Sequence, residues 1–333
     1  MKALRHKLEV RVRGCKFGIA HWLSSIFAQR ILDRLTMDKS LLPIIQSKFP
    51  SPKSLWDSFR MAAWLGWQIE SNWTDPFLFA VYSIIKPLSG AAILTIMYSV
   101  ITQGDFESPM FTYMYLGNAF FIYVTQIMNG IVWAVTDDRE HYKTLKYIYT
   151  APVHYPTFLL GRSVAYFLIA SVAVLITILF GVLFLSIQID LTAVNWLLFI
   201  VTMIIGVNML ALMGLIVAGI MLLLVHHMWD LGAAIAGSLF LFCGAIFPLD
   251  VLPPLLRPIG YLLPVTYWLE LIRRSLVGSI AEAYPTFSNL SDLQLLAILT
   301  GLTAVLAVVA ALSFRWCDQK ARDRGVIDVI TNY

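Results

Sequence analysis

The acidic and histidine side chains that could do chemistry in this chain lie mainly in two short segments. One carries Glu140 and His141, and the other carries His226, His227 and Asp230. Neither has the H-E-x-x-H spacing that puts two zinc ligands on one face of a helix, and adjacent histidines point to different sides of a helix. We therefore expect no catalytic and no metal site, although an intramembrane enzyme stays an alternative from another functional class.

The chain also lacks a phosphate-binding loop. The G-x-x-x-x-G-K-[ST] sequence needs a Gly-Lys pair, and none occurs in the 333 residues. We therefore expect no cofactor in this chain, and any ATP and Mg²⁺ would be bound by another polypeptide.

A very apolar composition indicates the secondary structure that positions these residues. Hydrophobic residues make up 59% of the chain, charged residues only 13%, and the mean hydropathy is +0.76. A soluble core cannot absorb this much apolar surface, whereas a helix of about 20 apolar residues crosses a bilayer with its backbone hydrogen bonds satisfied. The predicted fold class is an all-α polytopic membrane protein.

Six apolar segments are predicted to span the membrane, within a transmembrane domain at residues 77–315. Residues 1–76 hold half of the Lys and Arg and no span-length apolar run, and residues 316–333 form a basic tail. The predicted spans are about 77–100, 111–135, 163–187, 193–225, 231–249 and 293–314. Four prolines at positions 253 to 264 exclude a continuous helix there, so re-entrant or external helices are expected between spans 5 and 6.

Basic residues set the predicted orientation. They gather in the N-terminal region, in the loop at residues 136–162 and in the C-terminal tail. Because cytoplasmic loops are enriched in Lys and Arg, both termini are expected on the cytoplasmic side of the cytoplasmic membrane. Before the first span, an apolar stripe from Leu55 to Ile69, with three tryptophans nearby, predicts an interfacial helix lying on the membrane.

The most polar stretch in the middle of the chain follows the second span. Residues 137–149 are predicted to form one amphipathic helix, with Asp137 as its N-cap and Glu140 three residues on. Its apolar face consists of Tyr142, Leu145, Ile148 and Tyr149. This face must pack either against the chain's own helix ends or against a partner protein.

Polar side chains within the predicted spans are candidates for a transport path, because an uncompensated charge in hydrocarbon costs at least about 2.5 kcal/mol. They are Lys86, Asn118, Gln126 and Asn129. Lys86 either snorkels to the cytoplasmic headgroups or lines the path, and the other three either bond between helices or contact substrate. Arg162, at the predicted start of the third span, is interpreted as a topology anchor. Glu270 is expected to pair with Arg273 and Arg274 on an external amphipathic helix.

Two stretches of this sequence resemble the ABC-2 type transporter permeases. The first comprises Gly117 to Phe121, then Trp133 to Val135 and Asp137 to Tyr149. The second comprises residues 244–249, 252–253 and 263–270. The resemblance covers roughly residues 70–320 and does not extend to the N-terminal 50 residues.

The resemblance implies the transmembrane permease subunit of an ABC transporter, in which a separate ATPase moves a coupling helix after the second span as it closes on ATP. The implied ATPase contacts are Asp137, Arg139, Glu140, Tyr142, Lys143, Leu145 and Tyr149. The family also implies a lid at Glu270 and Arg273, and a second permease subunit, identical or homologous.

The expected function is export of an amphipathic small molecule, a lipid-linked compound or a polysaccharide. Membrane lipids are expected partners and nucleic acids are not. A secondary transporter or channel that works without an ATPase is the alternative.

Overall fold

The computed structural model describes residues 52–72, 75–106, 108–151, 153–185, 187, 192–224, 231–278 and 287–328. No β-strand occurs in these ranges, which confirms the predicted all-α class. The chain divides into two units, Met1–Asp57 and Ser58–Tyr333. Of the first unit only the beginning of one helix is described, and the contacts below belong to the second unit.

Eleven α-helices are present in the described ranges. They are α1 (Pro52–Asn72), α2 (Pro76–Thr102), α3 (Pro109–Tyr123), α4 (Asn129–Thr136), α5 (Leu145–Thr150), α6 (Tyr155–Phe184), α7 (Trp196–Leu223), α8 (Leu231–Phe242), α9 (Arg257–Leu262), α10 (Pro264–Val277) and α11 (Asp292–Asp323). π-Helical turns at Val124–Met128 and Asp137–His141 make one continuous helix from Pro109 to His141. Short 3-10 turns lie at Leu249–Val251 and Val326–Asp328.

Five helices in the described part of the chain are long and apolar enough to cross a membrane. They are Ala80–Thr102, Pro109–His141, Tyr155–Phe184, Trp196–Leu223 and Asp292–Asp323. Each is close to a predicted span, but the third begins eight residues earlier than the predicted residue 163 and the last runs nine residues beyond the predicted residue 314. These shifts move several charged residues from predicted loops into helices.

The predicted span at 231–249 is not one continuous helix. Its helix α8 has 12 residues, so at 1.5 Å per residue it is about 18 Å long, well short of a bilayer. After α8 the chain turns at Gly244, whose φ of 70° ends the helical backbone. The sequence there stays apolar, so hydropathy alone could not mark this turn, and the even number of spans stays a prediction.

Helix α7 is the centre of the packing. It contacts α11, α4, α10 and α6, and the main core cluster lies among these helices and α3. A smaller apolar cluster, which includes Ala91, Phe111 and Tyr115, joins α2 to α3. The continuous helix Pro109–His141 is the most buried of the five span-length helices, so a movement of this helix must repack its neighbours.

Candidate functional site

A buried ion pair joins the end of the second span to the third. Nη1 of Arg162 donates to Oδ1 of Asp138 at 2.8 Å, and the two side chains are 0% and 4% exposed. Two buried charges offset their desolvation only while they stay together. Arg162 is therefore an interior residue, because α6 begins at Tyr155, about two turns before it, and its role as a topology anchor stays a prediction.

Arg139 binds the C-terminal end of α7, the fourth span-length helix. Its Nη1 donates to the carbonyl oxygens of Met221 at 3.3 Å and Leu224 at 3.0 Å, and its Nη2 pairs with Glu140 at 3.1 Å. The last carbonyls of a helix have no partner within the helix, and a cation there also complements the helix dipole. Arg139 is buried, so it holds the C-terminus of α7 to the second span.

Helix α1 brings another carboxylate to this region. The helix lies so close to α6 that a Cβ atom added to Gly161 would fall within 3.0 Å of Ala62. At the following turns of α1, Glu70 comes near Arg162 and accepts a hydrogen bond from the Tyr166 side chain. Carboxylates from α1 and from the end of the second span thus both lie near the guanidinium of Arg162.

The ionisation of Glu70 depends on this environment. Burial raises the pKa of the Glu70 carboxyl above its ordinary value and is the largest effect; the charge of Arg162 opposes the rise, Asp137 adds to it, and the hydrogen bond from Tyr166 opposes it. A group whose pKa is raised by folding holds its proton more tightly in the folded chain. Its contribution to stability is complete below the unfolded pKa and is lost as pH rises through the folded pKa.

We therefore expect Glu70→Gln to raise the Tm of the purified chain above the folded pKa of Glu70. The amide keeps an acceptor for Tyr166 and removes the buried charge, and the gain should vanish at acidic pH, where Glu70 is protonated. Thermal unfolding in detergent from about pH 4 to pH 8 measures this. Asp323→Asn, at an exposed position, is the control. A loss of Tm that appears only as pH rises through the folded pKa would instead make ionised Glu70 a required counter-ion of Arg162.

The segment predicted as one coupling helix, residues 137–149, is divided in two. Its first five residues form a π-helical turn that continues the second span, and Leu145–Thr150 forms the separate helix α5. Between them Lys143 has a φ of 54°, in the left-handed region. The prediction that Asp137 caps a helix is wrong, because the Asp137 backbone is itself helical and the helix continues through His141.

The predicted ATPase contacts differ in accessibility. Asp137, Glu140 and Tyr149 are partly buried, while Arg139 and Leu145 are buried. Tyr142 and Lys143 are exposed, as are Lys146 and Tyr147 of α5. We call these four exposed residues the α5 surface, since a second protein can reach them without unfolding the chain.

The polar candidates of the second span lie along its less buried side. Asn118, Gln126 and Asn129 are partly exposed, and so is Ile122 between them. Oδ1 of Asn129 lies beside Gly232 of α8 and has no hydrogen-bond partner among the residues that the structure describes. We call Asn118, Gln126 and Asn129 the polar line. Because most of this helix is buried, the polar line lies on its more accessible face, together with Ile122 and the exposed Trp133.

Lys86 lies on the outer surface of the chain. The side chain is exposed, and α2 continues through the following Pro87 without a break. Among the described residues, the Lys86 side chain forms no ion pair and no hydrogen bond with the polar line or the α5 surface. Snorkelling and a path role both remain predictions.

The helix predicted as an external lid is packed into the interior. Every residue from Val265 to Arg273 in α10 is buried. Trp268 is fully buried, with its ring centroid 6.4 Å from Phe120 and 6.3 Å from Tyr123. Gly206 of α7 leaves room for the indole, since a Cβ there would overlap it. Helix α10 is thus part of the core.

Two adjacent arginines tie α10 to different elements. Nη2 of Arg273 donates to the carbonyl oxygens of Gly244 at 2.8 Å and Ala245 at 2.9 Å, and its guanidinium lies 3.6 Å from the ring centroid of Tyr113. This arrangement fixes the turn after α8 to the start of the second span through hydrogen bonds and a cation–π contact.

Arg274 ties α10 to the beginning of the last span. It pairs with Glu270 at 3.1 Å and with Asp292 at 3.2 Å, and it donates to the carbonyl oxygens of Phe287 and Leu290, both at 2.7 Å. The expected pair of Glu270 with Arg274 is therefore present, whereas the side chain of Arg273 is turned to the carbonyls of the α8 turn.

Sequence reasoning did not identify Glu70, Arg162 or Trp268 as connecting residues. A signal existed for Arg162, because it lies within an apolar run that begins at Phe158, and an arginine there needs a partner. Nothing local marked Glu70, which resembles any charge on the polar face of an amphipathic helix.

The fold and these contacts define a class first: the chain is an integral, multi-pass, α-helical membrane protein with an ordered polar segment after its second span. Residues 60–277 match the ABC-2 type transporter family model. This match covers more than half of the chain, and the protein belongs to the ABC-2 type transporter family. No curated protein sequence matches the chain significantly. The family supplies the membrane permease of ABC transporters, and the permease domain itself is not the catalytic component.

Proposed function

We propose that this chain is the permease subunit of an ABC exporter in the cytoplasmic membrane, driven by a separate ATPase that binds ATP and Mg²⁺ and contacts the α5 surface. One observation carries the proposal: the most buried span continues without interruption into the charged turn Asp137–His141, which is tied by buried side chains to α6 and α7. A displacement of the α5 surface would therefore be transmitted to the second span, α6 and α7 together.

The contacts of this turn support a coupling role in a specific way. Asp138 is bonded to Arg162 of α6, and Arg139 is bonded to the end of α7. Both connections are short and buried, so they transmit displacement as a rigid unit rather than absorbing it. In this proposal the exposed Tyr142 and Lys143 contact the ATPase, while the buried Arg139 and Leu145 support the α5 surface from inside the chain.

We place the transport path along the polar line, between this chain and a second permease subunit, identical or homologous. Amide groups beside Ile122 and the exposed Trp133 suit a substrate with polar and apolar parts. An amphipathic small molecule or a lipid-linked compound fits this mixture better than a free polysaccharide. Both termini are assigned to the cytoplasmic side, because the α5 surface and the end of α11 are basic.

The ATPase contact is tested by charge reversal on α5. We expect the variant Lys146→Glu/Tyr147→Ala to lose most of the ATPase that co-purifies with the tagged wild-type chain, because both side chains are exposed and neither supports the core. Quantitative mass spectrometry of the purified complex measures the ratio of ATPase to permease. A loss of more than about tenfold corresponds to about 1.4 kcal/mol of binding free energy.

Lys320→Glu is the matched control, since it makes the same charge change on α11, where Lys320 lies over Trp316. Wild-type recovery with both variants would reject the α5 surface as the contact. Repeated absence of any Walker-motif ATPase from the intact wild-type chain would favour a channel or secondary transporter.

A further inference from the structure

The inner side of α5 is attached to the last helix of the chain. The Tyr149 hydroxyl donates to Oδ1 of Asp318 at 2.6 Å, and the guanidinium of Arg322 lies 4.7 Å from the Tyr149 ring centroid. Asp318 and Arg322 also form an ion pair at 3.2 Å, one helical turn apart. We call these three residues the C-terminal clasp.

Helix α11 is long enough to reach α5 from the membrane. Its 32 residues extend about 48 Å, whereas a bilayer core needs only about 30 Å. The last turns, which carry Asp318 and Arg322, therefore project beyond the hydrocarbon. After them Gly325, with a φ of 64°, reverses the chain, and Val326 and Ile327 pack back against the main core cluster.

Helix α5 depends on such attachments. With six residues it is far too short to be stable alone, because isolated helices below about 12–15 residues are marginal in water. Leu145 is buried at its start, and Tyr149 is the contact near its end. The 3-10 turn Val326–Asp328 packs beside α5 as well. The position of α5 is thus set from both ends.

We propose that the C-terminal clasp is the positioning element of α5, and that it passes displacement of α5 directly to the last span. Its physical basis is the hydrogen bond from the Tyr149 hydroxyl to the Asp318 carboxylate, and hydrogen bonds to ionised groups are about twice as strong as neutral ones. The Arg322 guanidinium over the Tyr149 ring adds a cation–π contact. Burial is the largest of the effects that raise the pKa of Tyr149, and the bond to Asp318 adds to them. The phenol therefore keeps the proton that it donates.

Hydrogen exchange on the full-length chain in lipid nanodiscs tests the clasp without any partner. We expect Tyr149→Phe, which keeps the ring, to speed exchange of the amides at residues 145–151 by about 10- to 100-fold, the range for a lost bond to a charged group. Tyr147→Phe is the matched control, because this neighbouring tyrosine is 65% exposed. Equal exchange in the two variants would overturn the clasp.

A double-mutant cycle identifies the partner. Asp318→Asn should speed exchange of the same amides, and Tyr149→Phe/Asp318→Asn should be no faster than Tyr149→Phe alone, since the bond is lost once. Fully additive effects would mean that Asp318 acts elsewhere. Unchanged exchange across the membrane-embedded part of α11 shows that the variants are folded.

The transmission role rests on the proposed function and has its own readout. In the complex co-purified with its ATPase and reconstituted in vesicles, we expect Tyr149→Phe to lower the amount of substrate transported per ATP hydrolysed, a ratio that does not depend on how much ATPase is recovered. An unchanged ratio, despite faster exchange at α5, would overturn transmission and leave positioning in place. If no ATPase accompanies the wild-type chain, the proposed function fails while the exchange experiment still decides the clasp.

Discussion

Replacing Arg162 with Met is expected to destabilise the folded chain by about 3–5 kcal/mol, the cost typical of breaking a buried ion pair from one side. The variant leaves Asp138 buried with its charge uncompensated, since that side chain is only 4% exposed. It also removes the cation that opposes the rise in the pKa of Glu70. A large fall in the Tm of the purified chain in detergent would measure the effect.

The double variant Arg162→Met/Asp138→Asn distinguishes the cost of leaving Asp138 unpaired from the cost of losing the Arg162 side chain itself. Removing both charges is expected to recover most of the lost stability, because replacing a whole buried pair is often near neutral. Arg315→Met is the control, since Arg315 is exposed and such changes usually stay within about 0.5 kcal/mol. If Arg162→Met unfolded at the wild-type temperature, the ion pair would not hold the second and third spans together.

Trp268→Ala is expected to cost about 3–5 kcal/mol, in the range for truncation of a large buried aromatic residue. Trp268 is fully buried, and its ring meets Phe120 and Tyr123 of the second span edge to face. Its loss would detach α10 from the core, so thermal unfolding in detergent should show a large decrease in Tm. Trp268→Phe is expected to cost less, because Nε1 makes no hydrogen bond to the described residues.

Gly206 of α7, which leaves space for the Trp268 indole, allows a second test of the same contact. Gly206→Ala is expected to destabilise by about 1–3 kcal/mol through overpacking, since the added Cβ would overlap the pyrrole part of Trp268. In a Trp268→Ala background the three nearest atoms, Nε1, Cδ1 and Cε2, are all gone, and the same alanine should add little to the cost. Gly237→Ala is the control, because a Cβ there meets nothing within 4 Å. Equal effects of Gly206→Ala in both backgrounds would contradict this packing.

The second and fourth spans show how much of the fold the sequence contained. Both are long runs without charge, and the observed helices Pro109–His141 and Trp196–Leu223 include or nearly match the predicted segments 111–135 and 193–225. Hydropathy is a local property of each segment, so a single sequence reveals it. The turn at Gly244 was missed because apolar residues continue on both sides of it.

The candidate site was predictable only as a region. Charge and proline pattern marked residues 137–149 as a distinct polar segment, and the family resemblance gave it a role. The division at Lys143, and the difference between buried Arg139 and exposed Tyr142, depend on where α7 and α6 end in space. Those positions are set by long-range packing, which no spacing rule contains.

The sequence by itself determined the class of protein, the approximate spans and the absence of a phosphate-binding Gly-Lys pair, because each follows from composition or from short motifs. Tertiary structure decided which charges are structural. Arg273 and Arg274 are neighbours of the same residue type, yet one bonds to carbonyls of the α8 turn and the other bridges Glu270 and Asp292. A charge in a membrane protein takes its role from the partners that compensate its desolvation, and for both arginines some of those partners are distant in sequence.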